Sequence, residues 1–191
     1  MKKILLSAIP LMLITIVSTK VFSQDTIVQT TTRVVYSRWE RKNLNLRIGP
    51  EVGFAVGDFS TTHHIGIGAS ALLDIPVARR WSVIAYAGMR SFGGRTMPDT
   101  HTKYKRSNIF PLRGGINYKL SPDFYLSGQI GESTVQYLGV SKTSVSQAVG
   151  FGYFNGFLDL GVRWDHEYAH GGLSSIVFQA RYVITLGVRK K

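Results

Sequence analysis

The sequence predicts an all-β protein, an eight-stranded antiparallel up-and-down transmembrane β-barrel. Apolar residues alternate at period two from Leu44 to Val188, with little helical periodicity to compete. The opposite strand faces are dominated by Gly, Ala and Ser, which fit inside a narrow wall. No run of eighteen or more apolar residues follows the first twenty-odd positions, so any membrane crossing must be made by strands rather than helices. With 191 residues, 44% hydrophobic and 18% charged, the chain is sized for one modest domain and too apolar for a disordered one.

The first element is for export. Lys2 and Lys3 precede an apolar run from Ile4 to about Val17, and Val21 and Ser23 have the small-residue spacing of a cleavage site. Residues 1–23 therefore read as a signal peptide; the run is short for a transmembrane anchor and contains Pro10. Removing Lys2, Lys3 and Lys20 with no acid lowers the formal charge from +12 to +9. An exported basic protein is directed toward anionic lipid and envelope polymers rather than nucleic acid. The absence of Cys excludes disulfide staples, thiolate metal sites and a lipid-modified Cys. Residues 24–43 read as a polar periplasmic lead-in, although Thr30-Thr31-Thr32 and Val34-Val35-Tyr36 also suit an edge strand.

Residues 44–191 form the expected barrel, with strands near 44–58, 64–76, 81–93, 106–119, 124–137, 143–154, 157–168 and 173–189. In the first, Leu44, Leu46, Ile48, Val52, Phe54 and Val56 share one face, and Arg47, Gly49, Glu51, Gly53 and Ala55 the other. The second sets Ile65, Ile67, Ala69, Ala71 and Leu73 against Gly66, Gly68, Ser70 and Asp74. Trp81 to Met89, Phe110 to Leu120 and Phe124 to Ile130 repeat the alternation, as does Ile176 to Val188, whose opposite face carries Gln179, Arg181 and Thr185. Asn155-Gly156 suits a two-residue type I′ hairpin. Its expected register pairs Phe154 with Phe157, Tyr153 with Leu158, Phe151 with Leu160 and Val149 with Val162.

Connections at 76–80, 121–123 and 155–156 are short, whereas those at 94–105, 139–142 and 166–172 are longer and 59–63 is intermediate. Short turns at one end and longer loops at the other describe a meander. The small-residue face distinguishes this barrel from a soluble lipocalin-like one, whose water-facing side would carry Lys, Glu and Thr. Aromatic residues near strand ends, among them Trp81, Tyr118, Phe124, Tyr153 and Trp164, suit interfacial girdles.

The chain resembles the small outer-membrane barrels of the OmpA/OmpX type. The residues that carry the resemblance are Pro111-Leu112-Arg113 through Tyr118, the turn Leu120-Ser121-Pro122-Asp123, the meander and the alternating last strand. It implies the outer membrane of a Gram-negative-type envelope, contact with outer-membrane lipid and lipopolysaccharide, and other envelope proteins as further partners. It also implies a final aromatic residue; here Val188 leads into Arg189, Lys190 and Lys191.

His166-Glu167-Tyr168-Ala169-His170 matches H-E-x-x-H, a zinc pattern only on a helix. In an extended chain the two His lie about 13 Å apart, so they are expected as solvated loop residues. His63, His64 and His101 also fall in or beside outward loops, where polar filler is expected and no cofactor is implied. Arg47, Glu51, Arg113, Asp159, Arg163 and Arg181 are expected in the lumen as a charge network that fills the barrel, with a gated anion path through surplus Arg as the competing reading. Arg95, Lys103, Lys105 and Arg106 cluster in the longest loop and suit the phosphates of lipopolysaccharide. A lipid A-modifying enzyme would need a Ser/His pair at the outer rim; Ser60, Ser91, Ser174 and Ser175 are near rims, but no acid/base/nucleophile set stands out. The expected function is a non-enzymatic structural or interaction role at the cell envelope.

Overall fold

The computed structural model describes residues 43–96, 103–169 and 171–186. The expected signal peptide, nearly all of the 24–43 lead-in, His101, His170 and residues 187–191 lie outside the described residues. Eight antiparallel strands, β1 (Leu44–Val56), β2 (His63–Pro76), β3 (Trp81–Gly94), β4 (Ser107–Lys119), β5 (Phe124–Tyr137), β6 (Val140–Phe154), β7 (Leu158–Glu167) and β8 (Leu173–Leu186), pair in chain order and close through β8 onto β1. Closure leaves no open edge along the barrel wall, because the first and last strands, β1 and β8, pair with each other.

Side-chain alternation sets inside from outside. Ile67, Leu112 and Ile130 are 68%, 67% and 65% exposed, whereas Arg163 and Arg181 are 1% and 0% exposed. This is the reverse of a lipocalin-like barrel, in which the apolar face turns inward. Rings gather toward the short-turn end, where Trp81 packs 4.7 Å from Tyr118 and Phe124 5.3 Å from Tyr153. The wall closes tightly where β1 meets β8: a Cβ on Gly49 would come within 2.0 Å of the Ala180 carbonyl oxygen.

Two turns differ from expectation. At Asn155-Gly156 the pairs are Phe154 with Asp159, Tyr153 with Leu160, Phe151 with Val162 and Val149 with Trp164, two residues beyond the expected register. Asn155 uses its side chain instead: Oδ1 accepts from the Leu158 amide at 2.9 Å and from the Phe157 amide at 3.3 Å. Only Gly156 has a positive φ there, so the turn is not type I′. A slip of two keeps every side chain on its face, and it leaves Phe154 directed inward opposite Asp159. Conversely, the expected longer connection at 139–142 is a two-residue turn, Leu138-Gly139, with φ 55° and 80° and Tyr137 paired to Val140. Both positive φ angles match the type I′ pattern. β-branched Val140, Thr143 and Val145 continue β6 up to it.

Between β1 and β2 the chain forms a single helical turn, α1 (Phe59–Thr62), which folds Phe59 over the lumen. Phe59, Phe92, Ile109, Val135 and Ala169 make an apolar cap at the long-connection end. Tyr125, Phe154 and Val183 cluster at the short-turn end. Between these layers the lumen is polar.

Candidate functional site

The buried charges of the lumen are Arg47, Arg90, Arg113, Arg163 and Arg181 against Glu51, Asp74, Asp159, Asp165 and Glu167, five of each sign. All six residues read from the sequence are among them. Arg90, Asp74, Asp165 and Glu167 complete the balance, so the surplus of Arg inferred from the sequence does not exist among the buried residues. Each had a signal. Asp74 shares the inward face of β2, and Arg90 has the inward parity of β3 one residue after Met89. Asp165 and Glu167 continue the inward parity of Asp159 and Arg163, because β7 runs on through the H-E-x-x-H segment.

The network is layered. Nearest the short turns, Arg47 pairs with Asp74 and lies 3.4 Å from Asp159. Arg181 reaches Asp159 at 3.3 Å, and the Tyr125 hydroxyl donates to it at 2.6 Å. In the middle, Glu51 accepts from Ser70 at 2.7 Å, Tyr86 at 2.9 Å, Arg181 at 3.1 Å and Arg163 at 3.3 Å. Above it, Asp165 meets Arg90 at 2.6 Å and Arg113 at 3.1 Å, while Glu167 meets the same two at 3.2 and 2.9 Å. Arg113 also donates to Ser146 at 2.6 Å and Arg90 to Ser175 at 3.1 Å. A buried ion costs several kcal/mol after relaxation, roughly, unless it is paired and hydrogen-bonded. Glu51, Asp159, Asp165 and Glu167 each meet that condition with two or more donors, whereas Asp74 is held by Arg47 alone among the described residues.

The second site is the rim above the cap. Arg95, Lys103, Lys105 and Arg106 are all exposed. The Arg95 guanidinium donates from Nε to His64 Nδ1 at 2.9 Å, and Thr96 bridges to Lys103, which orders the base of the β3–β4 connection.

The histidines occupy different environments. His63 is buried at the mouth, and His64 is exposed beside Arg95. His166 is not a loop residue: it lies within β7 on the outer face, stacked 5.7 Å from Trp164 and edge-on to Tyr168 at 4.5 Å. Glu167, its neighbour, points to the opposite face and is engaged by Arg90 and Arg113. Strand geometry therefore separates the residues that a helical zinc motif would bring together. Among the described residues no group of three or more His, Asp or Glu side chains is arranged to hold a metal ion. Of the rim serines, Ser60 donates to the Gly57 carbonyl at 2.7 Å, Ser175 receives Arg90, Ser91 is half-buried, and Ser174 Oγ lies 2.8 Å from His166 Nδ1.

No family model and no curated protein sequence matches the chain. Solved structures match it in fold. The Yersinia pestis outer membrane protein Ail in a phospholipid bilayer nanodisc superposes with a TM-score of 0.54 at 15% identity, covering 75% of this chain and 100% of that one. Ail in complex with the heparin analogue sucrose octasulfate gives 0.53 at 12% identity, covering 75% and 99%. Neisserial surface protein A gives 0.51 at 14% identity, covering 75% and 97%. The chain thus shares the fold of the eight-stranded outer-membrane barrels.

Proposed function

We propose, on the premise of an eight-stranded outer-membrane-type barrel, that this protein is a non-enzymatic component of the outer membrane of a Gram-negative-type envelope. In this reading residues 1–23 are removed on export, residues 24–43 lie in the periplasm, and the lumen network is a filler that keeps the wall round. The work is done at the outer rim, where Arg95, Lys103, Lys105 and Arg106 contact the phosphates of lipopolysaccharide. The observation that carries this is the exposure of all four cations on one connection. Each cation near an anionic surface contributes on the order of 1 kcal/mol. The polyanion held by Ail in one of the matching structures is consistent with a rim that takes sulfate or phosphate groups, and it favours no physiological partner over another.

The test is lipopolysaccharide binding to the refolded chain, with all four residues changed to Glu. Affinity is expected to fall at least a hundredfold, roughly, and to weaken with salt in the unaltered protein. Unchanged affinity refutes the assignment. Heat-modifiable mobility of the membrane fraction tests the location.

A second reading, lipid deacylation, rests on the Ser174 and His166 pair alone. It predicts a shortened lipid A on overexpression that Ser174→Ala restores to full length; an unaltered lipid A mass spectrum removes it.

A further inference from the structure

We propose that the long-connection mouth of the barrel is a binding site for a small monocyclic aromatic molecule bearing one hydrogen-bonding substituent, of phenol size. A cavity of about 180 Å³ opens there between α1 and the ends of β2, β4, β5 and β8. An apolar cavity of about 150 Å³ is enough to hold benzene.

The walls suit a ring. Phe59 and His63 lie 4.7 Å apart at 33°, and His63 and Tyr137 are 5.8 Å apart at 69°. A fourth ring, from a ligand seated among them, finds the offset and edge-on contacts that aromatic groups favour. His63 presents its face rather than a free nitrogen, because Nε2 donates to the Lys105 carbonyl at 3.2 Å and Nδ1 is bonded to Thr62 Oγ1 at 2.8 Å. Val135 and Leu173 supply the aliphatic side. The floor is the apolar cap, where Phe59 packs 5.0 Å from Phe92, so a ligand enters from the mouth and stops above the charge network.

The polar substituent is called for by Ser107. It lines the cavity and is only 2% exposed, which places a hydroxyl on an otherwise mostly apolar wall. Tyr137, half-buried, adds a second hydroxyl-bearing side chain to the same cavity. A ligand group that bonds such a hydroxyl adds a hydrogen bond that a hydrocarbon cannot make. Aromatic and aliphatic walls with hydroxyls set among them select a phenol over both a hydrocarbon and a polar sugar.

The experiment uses the full chain in phospholipid nanodiscs, with 4-fluorophenol and fluorobenzene as probes read by fluorine NMR. Saturable, one-to-one binding of 4-fluorophenol is expected, with backbone shifts at Thr62, Ser107 and Tyr137. Val135→Phe fills the cavity and abolishes binding. Leu173→Trp does the same from the opposite wall and serves if the first variant does not refold. Ser107→Ala weakens 4-fluorophenol about fivefold while leaving fluorobenzene unchanged. A response that rises without saturating, or that persists equally in whichever filled variant folds, is partition into lipid and overturns the proposal. Equal loss of both probes in Ser107→Ala overturns the role of its hydroxyl.

Discussion

Tyr86 and Arg163 meet across the lumen from β3 and β7: the guanidinium carbon lies 4.3 Å from the ring centroid, and Nη2 donates to the hydroxyl at 2.8 Å. The same hydroxyl donates onward to Glu51 at 2.9 Å. One phenol therefore carries a cation on its face and relays between an Arg and a carboxylate in the middle of the barrel. Tyr86→Phe keeps the ring contact and removes the relay, which is expected to cost about 1.5–3 kcal/mol, the range for hydrogen bonds to charged groups. The shift of the urea midpoint for unfolding from lipid vesicles measures it.

Glu51 is the acceptor shared by Arg163 and Arg181. Glu51→Ala leaves both without their central carboxylate in a site fully shielded from solvent. The expected loss is about 3–5 kcal/mol, that of breaking a buried ion pair by deleting one member. The same unfolding assay applies, and a loss below 1 kcal/mol, roughly the value of a surface ion pair, would mean that water enters the lumen freely.

Five buried Arg matched by five buried carboxylates leave no net charge to draw anions through. Planar-bilayer recordings on the refolded chain are expected to show no steady conductance. Anion-selective steps would show that the network opens.

Tyr125 lies across Gly152, where a Cβ would sit 2.3 Å from the ring Cζ. Gly152→Ala is expected to destabilise by about 1–3 kcal/mol through overpacking. In a Tyr125→Leu background the same change should cost less, and that difference distinguishes ring contact from a general intolerance of side chains in β6.

Leu138 is the one non-Gly residue with positive φ among the described residues. Leu138→Gly relieves a conformation that costs an L-residue about 1–2 kcal/mol. The β5–β6 hairpin should gain most of that, read as slower amide exchange at Thr134 and Thr143, whose hydroxyls lie 2.8 Å apart on paired strands.

The division of residues between the two faces was legible in the sequence because period two survives errors of register. The hairpin at Asn155 slipped by two, yet Arg163 and Asp159 stayed on the inward face. The turn chemistry was less legible. Asn155-Gly156 has the composition of a type I′ turn but spends the Asn side chain on an Asx contact, whereas Leu138 carries no compositional sign of its left-handed backbone. Asp165 and Glu167 were obscured by a motif whose meaning depends on helix spacing; strand parity from Arg163 assigns both inward. The mouth cavity had no linear signal, since Phe59, Ser107, Val135 and Leu173 are brought together only by barrel closure and by α1 folding inward.

The sequence contains no Cys, so single-cysteine substitutions label one site at a time. Spin labels placed in turn from Ile176 to Ile184 along β8, with oxygen accessibility measured in a bilayer, test most directly whether the apolar face meets lipid. High accessibility at 176, 178, 180, 182 and 184, with low values at 177, 179, 181 and 183, is the result expected from the barrel. The inverse pattern, or a flat one, would contradict it.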